Sequence, residues 1–129
     1  VTTPAMAAQR VAARMADFAR RSNVRVLGVI ENMSPLACSC GQVHEIFGSG
    51  GGASLAEELD SPLLATIPLR AHVSRGGDEG MPAALGDNDT AELFAALARQ
   101  LIDDIAPPAG MSGCTARLVA ALNDAVESS

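Results

Sequence analysis

The amino-acid sequence predicts an α/β domain that is built on a short parallel sheet with flanking helices. Two runs of apolar, mostly branched residues, Val24 to Ile30 and Leu63 to Ile67, have the length and composition of buried strands. A short segment with helical character, from about Ala53 to Leu59, lies between them. A strand, a helix and a second strand in this order form a βαβ unit, whose two strands run parallel.

A long amphipathic helix is predicted ahead of the first strand, from Thr3 to about Arg21. Thr3 can cap this helix, and Pro4 suits its first helical position. The residues before Pro4 are β-branched, so we expect them to be the end of a further strand of the same sheet. Apolar side chains then recur with helical spacing at Val11, Met15 and Phe18.

The segment from Glu31 to Gly52 has no periodicity and is predicted to be a long loop. It contains Pro35, the sequence Cys38-Ser39-Cys40-Gly41 and a glycine-rich stretch from Gly48 to Gly52. Long loops in compact domains usually carry function.

The last third of the chain is predicted to contain two helices separated by a linker. Asp89 and Glu92 resemble the capping box of a helix whose apolar stripe continues to Ile105. Residues 107–113 are rich in proline and glycine, and a weaker stripe follows. The sequence therefore predicts one domain over residues 1–106, with a linker and a weakly anchored helix or tail over 107–129.

Charge and composition exclude several classes of function. The 129 residues carry a net charge of −6, and all nine basic residues are arginines. Without lysine the chain cannot form a Schiff base, use a lysine general base or supply the lysine of a phosphate-binding P-loop. The acidic balance argues against nucleic acid as a partner, and three phenylalanines are too few to stack bases.

Membrane and secretory signals are also missing from the printed sequence. No apolar run approaches the roughly 20 residues that span a bilayer. The amino terminus carries no basic region followed by an apolar stretch. We therefore expect no membrane partner and a cytoplasmic location.

The cysteines are the strongest chemical signal. Cys38 and Cys40 are one residue apart and Cys114 is distant, which suits metal ligation better than a disulfide framework. If the segment is extended, residues i and i+2 point to the same side, so both thiolates could face one metal centre. Zinc or an iron-sulfur cluster usually takes four ligands, so the others would come from His44, from Cys114 or from a second copy of the loop. The alternative is a pair of inert loop thiols.

Other polar features have simpler interpretations. The glycine-rich stretch before a helix could cradle a phosphate, but a flexible connector is the more common role of such a run. His44 and His72 suit solvated surface positions. The acidic pairs Asp78-Glu79 and Asp87 with Asp89 fit turns and helix caps better than general acid-base chemistry.

A series of short motifs resembles a known family. The motifs are Val1-Thr2-Thr3-Pro4, the segment Val26 to Ser34 with Glu-Asn-Met-Ser at its end, Ile46-Phe47-Gly48-Ser49-Gly50-Gly51, Ile67-Pro68-Leu69 and Gly77-Asp78-Glu79-Gly80-Met81-Pro82. Together, from residue 1 to about 105, they resemble the C-terminal half of the Mrp/ApbC-type iron-sulfur carrier ATPases, which are relatives of MinD in the deviant P-loop group. The resemblance implies a truncated three-layer P-loop NTPase-like fold.

The function implied by this resemblance is cluster transport. Members of the family are homodimeric ATP-binding scaffolds that hold a [4Fe-4S] cluster between two copies of a cysteine loop and pass it to apo iron-sulfur proteins. Cys38 and Cys40 match the family's paired cysteines, although the family spacing is C-x-x-C. Asn32 matches an asparagine that binds the adenine edge, and Pro68 with Leu69 matches the segment beside the base.

The resemblance covers only part of such a protein. The family's phosphate loop and its switch aspartates lie upstream of the residues matched here. We therefore expect that this chain alone does not hydrolyse ATP, and that ATP with Mg²⁺ binds only when the P-loop half is supplied, for example by a separate chain. Two alternatives remain at this point, namely a MinD-like nucleotide-responsive regulatory or positioning domain without a cluster, and a non-functional gene remnant.

Overall fold

The computed structural model describes residues 1–38 and 40–105. The predicted linker, the last predicted helix and Cys114 lie outside the described residues. Helices and strands follow one another in the order α1 (Met6–Arg21), β1 (Val29–Ser34), β2 (Leu36–Ala37), β3 (Val43–His44), α2 (Gly51–Glu58), β4 (Leu63–Pro68), α3 (Ala71–Asp78), a 3₁₀ turn (Ala83–Leu85), α4 (Asp89–Gln100) and a π-helical turn (Leu101–Ile105).

The predicted βαβ unit is confirmed. Strands β1 and β4 pair in parallel, with Val29 opposite Leu63 and Ser34 opposite Pro68, and α2 lies between them in the chain. Thr2 adds one parallel bridge to Glu31 on β1. Both main-chain groups of Thr2 take part, because its N–H donates to Ile30 and its carbonyl accepts from Asn32. The first residues therefore lie beside β1, as their β-branched character predicts.

The start of α1 differs from the prediction. The helix begins at Met6, its N-cap is Ala5 and no side chain caps it, so Thr3 is not the cap and Pro4 is not the first helical residue. The reason is tertiary: Thr2 pairs with β1, and Pro4 is buried beside α2, so the chain stays extended until residue 5.

The first strand begins five residues later than predicted, at Val29 instead of Val24. The end of α1 uses the intervening chain, because Asn23 adopts a left-handed conformation (φ 57°) and the N–H of Val24 donates to the carbonyl of Ala19. This hydrogen bond closes a helix end of the Schellman type. Pairing with β4 starts only where Val29 donates to Pro62, so residues 24–28 lead into the strand without belonging to it.

The core lies between α1, α2 and β1. Among the described residues, one cluster of buried side chains lies there, formed by Ala16, Val29, Leu55, Ala56 and Leu59. The contribution of α1 is made by small side chains, since Ala12 and Ala13 are its other residues packed against this cluster.

The large apolar side chains of α1 lie outside the core. Met6, Val11, Met15 and Phe18 are all at least 60% exposed. The predicted apolar stripe thus lies on an exposed side of the helix.

Two features in the second half of the described chain differ from the sequence prediction: a helix that was not predicted, α3, and the N-cap of α4. The segment Ala71–Asp78 is helical despite its two glycines. Helix α4 is capped by Asn88, whose side chain accepts from the N–H groups of Thr90 and Ala91, instead of by Asp89. Within the described residues no helix is both long enough and apolar enough to cross a membrane.

Candidate functional site

The cysteines lie at the tip of a small hairpin within the predicted loop. Strands β2 and β3 pair antiparallel, with Leu36 opposite His44. The N–H of Cys38 donates to Gln42 and its carbonyl accepts from Gly41 at 3.0 Å, which closes a turn. Gly41 has φ +84°, a conformation that favours glycine. Cys38 is half-buried and Cys40 is exposed.

Cys38 and Cys40 do not lie in an extended segment, so the condition under which their spacing would place both thiolates on one side is not met. They sit in a turn, and the N–H of Cys40 points at Sγ of Cys38 across 3.5 Å. Hydrogen bonds from main-chain amides to cysteine sulfur are among the interactions by which proteins tune iron-sulfur centres. The turn therefore places the main-chain amide of Cys40 next to the sulfur of Cys38 without an extended segment.

The base of this segment is held by Glu31, which lies in β1 and is only 3% exposed. One carboxylate oxygen accepts from the hydroxyl of Ser34 at 2.7 Å, and the other accepts from the N–H of Gly52. Ser34 is the last residue of β1 and Gly52 is the second residue of α2. One side chain thus joins the two ends of the segment that carries the hairpin, hereafter the cysteine segment (residues 35–50).

The glycines at the start of α2 allow close packing. A Cβ atom on Gly52 would lie 2.5 Å from Cβ of Glu31, and one on Gly51 would lie 2.5 Å from the carbonyl oxygen of Pro4. Neither position has room for a side chain. The N–H of Gly52 is already used by an internal carboxylate, so the glycine stretch acts here as a packing element, and the structure gives the phosphate-cradle interpretation no support.

The residues matched to a base-binding role lie at one end of the sheet. Asn32 is in β1, two residues before Ser34, which is opposite Pro68 in β4. The N–H of Leu69 donates to the carbonyl of Ser34 at 3.0 Å. Asn32, Pro68 and Leu69 therefore all lie near the carboxyl ends of two parallel strands, which is where α/β sheets bind ligands.

An apolar cleft of about 630 Å³ lies between α1 and the edge of β1. Its walls include Val11 and Met15 from α1, Gly28 just before β1, and Val29 and Asn32 in β1. The exposed side of α1 and the strand edge thus meet in one concave surface.

Other predicted polar residues occupy ordinary positions. His44 is exposed on β3 and His72 is exposed on α3, as expected for solvated histidines. Asp89 is 69% exposed and forms an ion pair with Arg70 at 3.2 Å. Over residues 1–38 and 40–105, no group of three or more histidine, cysteine, aspartate or glutamate side chains is arranged to hold a metal ion.

Glu31 is the residue that sequence reasoning missed. In the sequence it stands out only as the first residue of the Glu-Asn-Met-Ser motif. The available signal was a carboxylate directly after an apolar run, with a serine three residues later and a glycine-rich helix start downstream. A buried carboxylate needs hydrogen-bond donors, and a helix N-terminus supplies them.

Comparison with known proteins gives a consistent result. The family described as "NUBPL iron-transfer P-loop NTPase" matches residues 1–105. An iron-sulfur cluster carrier protein of Mycobacterium tuberculosis (strain ATCC 25618 / H37Rv) is 42% identical over 97 residues, which are 70% of this chain and 26% of that protein. Proteins of the same name are 43% identical over 108 residues in Deinococcus radiodurans (81% of this chain, 30% of the relative) and 37% identical over 105 residues in Saccharolobus solfataricus (79% and 36%).

The chain spans about a quarter to a third of the length of these relatives. The match nevertheless includes the whole described βαβ unit, the cysteine segment and the helices that follow. On this ground the chain belongs to the family of iron-transfer P-loop NTPases.

Proposed function

We propose that this chain is the cluster-bearing part of an iron-sulfur cluster carrier, in which Cys38 and Cys40 from each of two copies hold one [4Fe-4S] cluster as cargo for apo iron-sulfur proteins. The single observation that carries the proposal is the location of both cysteines at one hairpin tip. The family match and the names of the relatives support it.

The geometry of the tip suits a cluster shared by two copies. A [4Fe-4S] cluster takes four thiolates, and one hairpin supplies two. Cys40 is exposed and the hairpin around it is largely exposed as well, so a second copy can approach the same sulfur atoms. An accessible cluster also suits transfer, because a recipient's cysteines must reach the iron atoms. A cytoplasmic location belongs to the same proposal.

Nucleotide binding is proposed only for the complete P-loop domain. Asn32 can offer an amide donor and an acceptor to a base edge, and Pro68 with Leu69 can form an apolar wall beside it. Most of the affinity of a P-loop protein comes from amides, lysine and Mg²⁺ around the phosphates. We infer that the cleft beside α1 packs against the half of the domain that carries those groups, either in the same polypeptide or on a separate chain.

Anaerobic reconstitution with iron and sulfide tests the cluster proposal. The expected result is about two iron atoms and two sulfides per chain, eluting with a dimer in gel filtration. Replacing both Cys38 and Cys40 by serine should abolish this uptake. Cys114→Ser is the matched control, since it removes a cysteine that the proposal does not use, and it should bind as the unsubstituted chain does. Full iron content in a monomer or in the double variant would refute the proposal.

Calorimetry tests the nucleotide proposal separately. The chain alone is expected not to bind ATP at micromolar concentration, and addition of a polypeptide with the P-loop half should produce binding. Micromolar affinity of the chain by itself would contradict this assignment of the phosphate-binding groups.

A further inference from the structure

Glu31 is a buried carboxylate whose two oxygens both accept hydrogen bonds, an arrangement that an apolar side chain could replace if the position served packing alone. It is a carboxylate in a strand beside the apolar core, 3% exposed, and both of its oxygens have a donor. Burying a charged group costs free energy unless hydrogen bonds compensate for lost water. The two donors, Ser34 and Gly52, are the residues at which the chain leaves the sheet and enters α2.

We propose that Glu31 is a positioning residue for the cysteine hairpin, because its carboxylate fixes the distance between the two ends of the cysteine segment and so sets how the hairpin is presented. The proposal rests on the proposed function, since the hairpin matters as the holder of the cluster. It goes further by assigning a role to a residue outside the ligand set.

The backbone of the cysteine segment contains permissive glycines, so a hydrogen bond from outside the segment is needed to fix its end. Gly48 and Gly50 both have positive φ, at +86° and +74°, and they separate the hairpin from α2. Glycines are conformationally permissive, so these residues alone do not define where the segment ends. The bond from Gly52 to Glu31 provides a fixed point immediately after them.

The beginning of the segment is fixed by the same side chain. Ser34 is 3% exposed, its hydroxyl donates to Glu31, and its carbonyl accepts from Leu69 on the neighbouring strand. The carboxylate is therefore bonded to one residue that the sheet holds and to one residue that α2 holds. A side chain that reached only one of them would leave the other end of the segment without its hydrogen bond to residue 31.

Three substitutions separate positioning from stability. Glu31→Ala removes the tie. Glu31→Gln keeps the length, and its amide can accept from Gly52 while donating to the hydroxyl of Ser34, so it is the conservative rescue. Leu97→Ala creates a cavity in α4 and destabilises the fold without removing a group from the base of the segment.

The first measurement is the rate at which an iron chelator removes iron from the chain reconstituted with iron and sulfide. We expect Glu31→Ala to take up iron but to lose it about ten-fold faster, as when groups that orient metal ligands are removed. Glu31→Gln should stay within about two-fold of the unsubstituted chain, and Leu97→Ala should release iron at the unsubstituted rate. Equal rates for Glu31→Ala and the unsubstituted chain, or equal acceleration in Leu97→Ala, would overturn the proposal.

A second measurement needs no cluster and also serves if Glu31→Ala fails to fold. A nitroxide is attached to Cys40 in a chain whose Cys38 and Cys114 are serine, and its mobility is read from the electron paramagnetic resonance line shape. Glu31→Ala, or Glu31→Asp, whose shorter side chain cannot reach both donors, should give a narrower line that Glu31→Gln reverses. An unchanged line in the folded variants refutes positioning. If the unsubstituted chain takes up no iron and sulfide, the proposed function fails, and the line shape alone decides this proposal.

Discussion

The base of the cysteine segment is buried and closely packed, whereas its tip is exposed and held by a few main-chain hydrogen bonds. At the base, Glu31 and Ser34 are each 3% exposed and bonded to each other. At the tip, Cys40 and every residue from Gly41 to Gly50 are exposed. The two regions are connected along the chain, yet the forces that act on them are different.

This difference separates stability from chemistry. Substitutions at the base change packing and buried hydrogen bonds, so they are expected to lower the free energy of unfolding. Substitutions at the tip remove reactive groups from solvent-exposed positions, where the cost in stability is small. A tip variant that unfolds the protein would contradict this distinction, and so would a base variant that leaves the free energy of unfolding unchanged.

The largest expected effect is at the tip, and it is the loss of bound iron after reconstitution. Serine in place of both Cys38 and Cys40 should remove all reconstituted iron while changing the free energy of unfolding by less than about 0.5 kcal/mol. Iron analysis and urea denaturation of the same preparation measure the two quantities. A loss of stability well beyond this amount would show that the tip contributes to the fold.

The largest effect on stability is expected at the base. Gly52→Ala places a Cβ atom against the side chain of Glu31, and this overpacking should lower the free energy of unfolding by about 1–3 kcal/mol. Gly77→Ala is the matched control, because that glycine is helical and has no atom within 4 Å of an added Cβ. It should be neutral or stabilising by up to about 1 kcal/mol. Equal unfolding midpoints for the two variants would contradict the close packing.

The N-cap of α4, Asn88, is remote from the cysteine segment, so the stability that its loss costs can be compared with the cost of substitutions at the base. Asn88→Ala removes the acceptor for two N–H groups of α4 and should cost about 1 kcal/mol in thermal or urea unfolding. Asn88→Asp keeps an acceptor and should differ from the unsubstituted chain by a few tenths of that amount. If the alanine and aspartate variants are indistinguishable, the cap does not contribute to stability.

The smallest effect is expected for an exposed ion pair. Arg70→Gln breaks the contact with Asp89, whose side chain is 69% exposed, and should change the free energy of unfolding by less than about 0.5 kcal/mol. Added salt should reduce even this difference, because exposed charges are screened. A large effect that persists at high salt would mean that Arg70 acts through packing instead of charge.

Patterns that depend on local sequence and chain order predicted the fold class well. Two apolar runs with a short helix between them correctly indicated parallel strands, and Thr2, one of the β-branched residues before Pro4, does pair with β1. These features follow from hydrophobic periodicity and from the rule that a βαβ connection joins parallel strands.

Predictions of where an element begins and of which side chains are buried were less successful. Val24 looks like a strand residue, but its N–H closes the end of α1. Val11, Met15 and Phe18 form a clear stripe, but alanines make the contacts with the core instead. Cys38 and Cys40 would share one side if their segment were extended, whereas the glycine at position 41 permits a turn. In the first and third cases hydrogen bonds between residues three to five positions apart decided the result, and in the second case the packing of α1 against α2 and β1 decided it.

The close contact between Glu31 and Gly52 has a consequence for how this sequence can change over evolutionary time. The two residues are 21 positions apart, and the space of one side chain is already filled by the other. The atom of Glu31 that lies nearest to an added Cβ at position 52 is its own Cβ, which every residue except glycine has. A substitution at position 31 that keeps a Cβ therefore leaves the requirement for glycine at position 52 in place. Related sequences that keep this packing should therefore retain glycine at position 52 even where position 31 varies among residues other than glycine.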